Sequence, residues 1–433
     1  MSTDLLHLYP RRCHSNQCAV GSIALAAELV ITGLLPVFIL EYSGVDPRIL
    51  NSVDFVAQTG GNGLALLNPL AVVPPGVRPA PLDKVALLVT VPLLTNGVAS
   101  YFLVPLSTAV GRRPVILFAA VCAWVGGLAA GFSNSLTGHI AARAVQGLGA
   151  GAVEALIPLI VQDMCFIHQR NKAMSAVLAS QGIVLLSLGI AAPYLAAKFT
   201  WRYIYFITSG LGVLAFLLLC AFVPETRWTR SKEELSGQKI WPLRAGQNRP
   251  DVDEATYGPR TLWTNIGFFQ LGFEFRKAGV SMLNTLRTML FPVIVWGVLA
   301  NSVFIIAVQA AGQITSFVLL SQGWRFQYVG LANIPFFAAG VMVYLFGGPL
   351  ADRLSNAVTK WNGGGREPEH HLANLVFPFI SGVAGCFIYG YAGQNNLHWA
   401  ITLLGFFLIV FGFLTTMTVL NVFVVESYPM WAG

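Results

Sequence analysis

The stretch whose reading decides the fold is GHIAARAVQGLGAGAVEALIPLIVQ, Gly138 to Gln162. As a helix it reaches across the ~30 Å hydrocarbon core of a bilayer, and most of its side chains are small or apolar. Arg143, Gln146 and Glu154 interrupt it. A charge at the centre of a membrane helix costs about 2.5–3.5 kcal/mol on insertion scales, so an arginine there requires a partner or a task. Gly147, Gly149 and Gly151 read as a small-residue face on which another helix can pack closely.

The rest of the chain agrees with a membrane setting. Of its 433 residues 55% are hydrophobic and 10% charged, where soluble domains carry about a quarter charged residues. The fold class is therefore an all-α polytopic membrane protein. The six cysteines (13, 18, 122, 165, 220 and 386) form no C-x-x-C pair and read as small packing residues, without a disulfide framework or a metal site. The first residues lack a cleavable signal pattern. The net charge of +7 has a topological origin: 19 of the 26 Lys and Arg fall in segments assigned below to the cytosol, six fall outside, and Arg143 is intramembrane. That asymmetry is the positive-inside rule and argues against a nucleic-acid partner.

Hydropathy divides the chain into a cytosolic N-terminus (1–16), a first half of six spans (17–226), a cytosolic linker (227–287) and a second half (288–433). Span 1, about Gln17 to Leu40, carries Glu28 near its middle. The Gly- and Pro-rich segment 41–83 reads as an external loop without a fold of its own. Spans 2 to 6 run near Val85–Thr108, Val115–Phe132, Gly138–Gln162, Met174–Ala196 and Tyr203–Phe222, with the polar link QDMCFIHQRNKA after span 4. Pro193 lies inside span 5, where it frees a carbonyl and kinks the helix. The linker holds ten of the Lys and Arg and an amphipathic stretch near Thr264–Lys277. Spans 7 to 10 run near Met289–Leu320, with Gly312 as a candidate break, then Val329–Phe346, Ala373–Ala392 and Trp399–Val425. The amides of Asn301, Gln309 and Asn421 lie within these spans and read as cavity groups, because lone amides facing lipid are costly. Trp124, Trp296, Phe304 and Tyr344 either stack on a substrate or fill helix interfaces. His370 and His371 beside Glu369 lack a third ligand at metal spacing and read as a solvated loop.

Five segments carry a family resemblance: LVPLSTAVGRRPVIL (Leu103–Leu117), ARAVQGLGAGAVEALIPLIVQDM (Ala142–Met164), VPETR (Val223–Arg227), GPLADR (Gly348–Arg353) and REPEHHL (Arg366–Leu372). In this order the chain resembles the major facilitator superfamily, and within it the fungal drug:proton antiporters. The resemblance implies two pseudo-symmetric helical halves around a central cavity. It also implies a gate at the cytosolic edge. Gly111, Arg112 and Arg113 match the end of the family's first loop signature, while Val104 and Thr108 stand where Gly and Asp are usual. Gly348, Leu350, Asp352 and Arg353 match the second copy. By this analogy Arg112 or Arg113 meets Asp163, and Arg353 meets Glu426, through charge-assisted bonds that bias two conformations. The bland alternative is that the Arg pair simply obeys the positive-inside rule.

Arg143, Gln146, Gly147 and Gly149 match the signature of the family's fourth span, where the arginine serves proton coupling or holds an acid. Glu28 is its candidate partner, and a static ion pair is the alternative. Glu154, about three turns after Arg143, either lines the cavity or caps a helix contact. Pro193 survives from the antiporter signature of span 5, with Ala192, Ala196 and Ala197 where glycines are usual. Glu225 and Arg227 match the end signature of span 6 and are expected to pair with each other.

The resemblance implies a monomeric secondary transporter that moves a small molecule and protons, without a cofactor, in the plasma membrane rather than the vacuole. Enzyme signatures such as H-E-x-x-H, G-x-S-x-G or a P-loop are absent from the sequence. A remnant or sensor that keeps the fold is the competing reading, since the second half counts four spans against six. On that count it reads as truncated after its fourth helix, with the expectation that a chain ending at Gly433 moves no substrate.

Overall fold

The computed structural model describes residues 30–52, 65–164, 167–223, 225, 273–343 and 368–427, with positions 23, 27, 55, 353, 354, 357 and 360. Every element among the described residues is helical, because a backbone in lipid must satisfy its own hydrogen bonds. A 3-10 turn, Val30–Leu34, leads into α1 (Leu35–Tyr42). The first half continues with α2 (Leu82–Val110), α3 (Arg112–Phe132), α4 (Leu136–Met164), α5 (Ile167–Lys198) and α6 (Arg202–Phe222). The end of the linker forms α7 (Phe275–Thr288), and α8 (Pro292–Ser321), α9 (Ile334–Met342), α10 (Val376–Gln394) and α11 (Trp399–Ser427) follow. Among the described residues, eight helices are long and apolar enough to cross a membrane. Two shorter apolar stretches, Val30–Tyr42 and Phe326–Met342, stand where spans 1 and 8 are expected.

Three expectations about the elements change. The polar link after span 4 is largely helix, since α5 already begins at Ile167. Gly312 does not break α8, which runs unbroken to Ser321; with apolar neighbours on both sides the helix has nothing else to hydrogen-bond to. The amphipathic helix among the described residues is Phe275–Thr288, which extends past Lys277; residues 264–272 of the expected stretch lie outside the described residues.

The segment 41–83 is also more than a loop. It contains 3-10 turns at Pro47–Asn51 and Ala65–Leu67 and a helical turn at Pro69–Val72. Leu50, Phe55, Leu66, Val72 and Val73 join the largest buried cluster. Polar groups fasten it as well. Arg48 Nη2 donates to the Phe199 carbonyl at 3.2 Å and Asn51 Nδ2 to the Ala197 carbonyl at 3.3 Å. Both acceptors belong to the C-terminal end of α5, whose last carbonyls have no intrahelical partner.

This segment and the turns at 199–201, 322–325 and 395–398 define a loop-rich end of the bundle. The Gly111 turn and α7 lie at the opposite, basic end. The largest buried cluster occupies the loop-rich end and draws from both halves: Val30, Leu34 and Phe38 of the first pack in it with Phe317, Leu320 and Phe326 of the second. A second cluster fills the basic end of the first half around Val115, Ala150 and Leu219, and a third holds α8, α9, α10 and α11 together around Tyr389 and Val410.

Candidate functional site

Arg143 sits in the interior of α4 and is completely buried. Its Nε donates to the Leu88 carbonyl at 3.1 Å, and Nη1 donates to the Ala27 carbonyl at 3.2 Å and to Gln146 Oε1 at 2.6 Å. The Leu88 acceptor has a cause in the sequence. Pro92 lies inside α2 and has no N–H, so the carbonyl four residues earlier loses its helical donor. Arg143 takes that place. Ala27 brings the chain of span 1 to the guanidinium one residue before Glu28, which itself lies outside the described residues. Oriented carbonyl dipoles help to hold such a cation in lipid.

Close helix approach makes this possible, and the three glycines act on two sides. A Cβ on Gly147 would stand 2.6 Å from Pro92 Cα, and one on Gly151 2.6 Å from Asn96 Cα, both on α2. A Cβ on Gly149 would stand 2.7 Å from Ala123 Cα on α3. The expected single face is therefore two opposite faces, as a 200° rotation over two residues demands. On the α3 side, Gln146, Trp124, Thr208, Ser209 and Ala27 line a cavity of about 30 Å³. Gln146 thus faces the interior of the first half.

At the basic end the turn between α2 and α3 gathers several helix ends. Gly111 adopts φ 125 and ψ 152, a conformation that is essentially glycine-only. The Glu225 carboxylate lies against it and accepts the first two amides of α3, from Arg112 N at 2.9 Å and Arg113 N at 3.2 Å. An anion there is favoured by the unpaired N–H groups and the helix dipole. Arg112 Nη1 donates to the Leu159 carbonyl of α4 at 3.0 Å, and Arg113 Nη2 to the Cys220 carbonyl of α6 at 2.7 Å. Glu225 thus engages α3 across the turn; Arg227, its expected partner, lies outside the described residues. Arg112 ends one turn before Asp163, whose side chain is not among those described.

The two halves meet through polar and backbone contacts as well as through the shared cluster. Ser316 Oγ of α8 donates to the Gly33 carbonyl of span 1 at 2.8 Å. Gly330, in the 3-10 turn Phe326–Asn333 before α9, lies against the backbone of Gly189 and Ile190 in α5 so closely that a Cβ would stand 2.7 Å from both carbonyl oxygens. Pro193 explains why this crossing is available, since it frees the Gly189 carbonyl four residues before it. At the basic end an open cavity of about 870 Å³ lies between Thr108 of α2 and the polar side of α7, including Ser281, Asn284 and Thr288.

The sequence model of the Major Facilitator Superfamily matches residues 18–432. The chain belongs to the major facilitator superfamily. It is 22% identical over 383 residues to an uncharacterized MFS-type transporter of Schizosaccharomyces pombe, covering 77% of this chain and 65% of that one. It is 24% identical over 349 residues to an MFS-type transporter of Penicillium rubens, covering 80% of this chain and 61% of that one. The chain therefore spans less than two thirds of the length of these two relatives. A probable efflux pump of Aspergillus flavus is 23% identical over 347 residues, 78% of this chain and 77% of that one. The fold superposes on the xylose transporter XylE from E. coli, in a partially occluded inward open conformation, with a TM-score of 0.58 at 15% identity, covering 98% of this chain and 88% of that one. The protein is an integral, multi-pass membrane protein of this superfamily.

The remaining superfamily positions fall out as follows. Glu154 faces α2 on the same side of α4 as Arg143, with Asn96 Nδ2 at 3.5 Å from its Oε2. Asn301 Oδ1 and Gln309 Nε2 on α8 are buried without a hydrogen-bond partner among the described residues. Gln309 lies two turns before Ser316, on the face that meets span 1. Phe304 is buried at a helix interface and packs edge-on against Phe379, while the exposed Trp296 meets Phe423 edge-on. Trp124 borders the small cavity beside Gln146. Arg353 is exposed. Asp352 and Tyr344 lie outside the described residues, and so do the side chains of Asn421, Glu426, His370 and His371.

Sequence reasoning missed His139, one turn before Arg143. It is fully buried, with Nδ1 2.7 Å from the Tyr42 hydroxyl and Nε2 2.7 Å from the Tyr205 hydroxyl. Its ring stacks on Trp201 at 5.1 Å, and Phe38 meets it edge-on. Nearby, Arg202 pairs with Glu41 at 2.9 Å and donates to the Ser133 carbonyl. These contacts tie α1, α4 and α6 together. The available signal was the i, i+4 spacing of His139 and Arg143, which puts both polar groups on one helix face. Pro92 was the second missed residue, readable as an intramembrane proline.

Proposed function

We propose that this protein is a secondary active transporter that exports a small organic solute by alternating access, in exchange for protons. The observation that carries the reading is the fully buried Arg143, held by the carbonyl that Pro92 frees and by the carbonyl beside Glu28. A guanidinium that already has carbonyl partners can release a carboxylate without being stranded. Glu28 can then take up a proton and later return to the arginine, which is the two-state pairing that coupling needs. Glu154, on the same face of α4 as Arg143, adds a contact to Asn96 of α2.

The contacts between halves at the loop-rich end support assigning that end to the outside, closed, with the cavity near α7 opening inward. Positive charge at the basic end supports the same orientation. In the outward-facing state the halves rock together at the basic end, and Arg112 or Arg113 engages Asp163 while Arg353 engages Glu426. Asn301, Gln309 and Asn421, with Gln146 behind the arginine, supply amides for a polar part of the solute. Export is favoured over uptake by the name of the Aspergillus flavus relative.

The test expresses the protein in a host lacking its own efflux pumps and measures accumulation of drugs, polyamines, sugars and organic acids, with and without a protonophore. The wild type lowers accumulation of at least one solute only while the proton gradient stands. Arg143→Ala inserts normally and loses that difference. Unchanged gradient-driven export by Arg143→Ala would reduce α4 to a scaffold.

A further inference from the structure

Helix α7 has a face that the transport reading leaves unused. One side packs on α2, where Ala278 is buried and Glu274 N donates to the Ala109 carbonyl at 3.1 Å. The side turned away from α2 carries Phe275, Leu283 and Leu286, and the turn that follows adds Met289 and Leu290; all five are between 47% and 78% exposed, and of this face only Phe275, Arg276 and Val280 also border the open cavity. Arg276 and Arg287, both exposed, border this stripe. They are eleven residues apart, about three helical turns, and so project along one line. Lys277 on the adjoining line is already paired with Glu274 at 2.7 Å, whereas Arg276 and Arg287 have no ion-pair partner among the described residues.

The position of the helix says what covers this face. α7 joins α8 through the short turn 289–291, and α8 enters at Pro292 with Val295, Val298 and Leu299 also exposed. In a membrane-spanning helix those side chains meet acyl chains, so the stripe on α7 is continuous with the lipid-facing surface. An apolar stripe bordered by aligned arginines at that level matches a helix lying in the membrane interface. Arginine suits the phosphate of a headgroup, and its stem lies along apolar surface.

We propose that α7 is a membrane-surface helix in which Arg276 and Arg287 bind the headgroups of anionic lipids while Phe275, Leu283 and Leu286 sit among the acyl chains. The proposal does not depend on the direction or substrate of transport. It is tested on the purified whole chain by native mass spectrometry, titrating phosphatidylserine against phosphatidylcholine. Each basic residue near a charged surface contributes about fivefold in affinity, so R276Q/R287Q is expected to lose about thirtyfold of the serine-over-choline preference. R276K/R287K should keep most of it, and R48Q at the loop-rich end should keep all of it. The preference of the wild type should also fall as sodium chloride is raised from about 0.05 to 0.5 M. An R276Q/R287Q chain with the wild-type preference overturns the proposal. So does equal loss of both lipids, or a wild-type preference that salt does not change.

Discussion

Replacing Gly111 by Ala tests how the Gly111 turn holds the basic end together. At φ 125 and ψ 152 an alanine is strained by about 1–3 kcal/mol. Its Cβ would also stand 2.5 Å from Glu225 Oε2, too close for the carboxylate to stay. Displacing Glu225 removes the acceptor from Arg112 N and Arg113 N, two charge-assisted bonds together worth about 3 kcal/mol in this half-buried setting. Gly111→Ala should therefore cost about 4–6 kcal/mol and Glu225→Ala about 3. The two should not add. Once Glu225 is gone the new methyl keeps only an ordinary contact with Pro114 Cδ at 3.4 Å and the backbone strain remains, so the double variant should be about 3 kcal/mol less destabilised than the sum. Unfolding of the purified chain in mixed detergent micelles, followed by tryptophan fluorescence, gives the four stabilities. A sum that agrees within about 0.5 kcal/mol would refute the claim that glycine is there to admit the carboxylate.

Further outcomes follow from the same geometry. Gly149→Ala should lower stability by about 1–3 kcal/mol through overpacking against Ala123, whereas Gly210→Ala, with nothing within 4 Å of its Cβ, should be near neutral; thermal unfolding of both compares them directly. His139→Leu leaves the Tyr42 and Tyr205 hydroxyls without their shared partner and should cost about 1–3 kcal/mol for each group that stays buried, with His139→Gln recovering part of it. If His139→Leu melts with the wild type, the buried network holds nothing together.

Much of this protein is visible in its sequence, because the membrane leaves so few options. Long apolar runs must be helices, so the boundaries of α2, α3 and α6 fall within a few residues of where hydropathy puts them. Arg143 is conspicuous for the same reason, since a charge in such a run is too costly to be incidental. Helical periodicity even contained the two-sided use of Gly147, Gly149 and Gly151, although spacing alone does not say which helix lies on each side.

Tertiary structure decided what each polar group touches. Segment 41–83 looks like a loop by composition, yet its scattered Leu, Phe and Val join a core supplied by both halves. Glu225 is four helices along the chain from α2 in sequence but lies against the turn that ends it, and its partners are backbone amides that no side-chain pattern reveals. The guanidinium of Arg143 likewise finds Leu88 only because Pro92 removes a donor on a different helix. Hydropathy depends on each residue's own transfer free energy and can be read one segment at a time. Pairing depends on distances between segments far apart in the chain, and those exist only after the helices have packed.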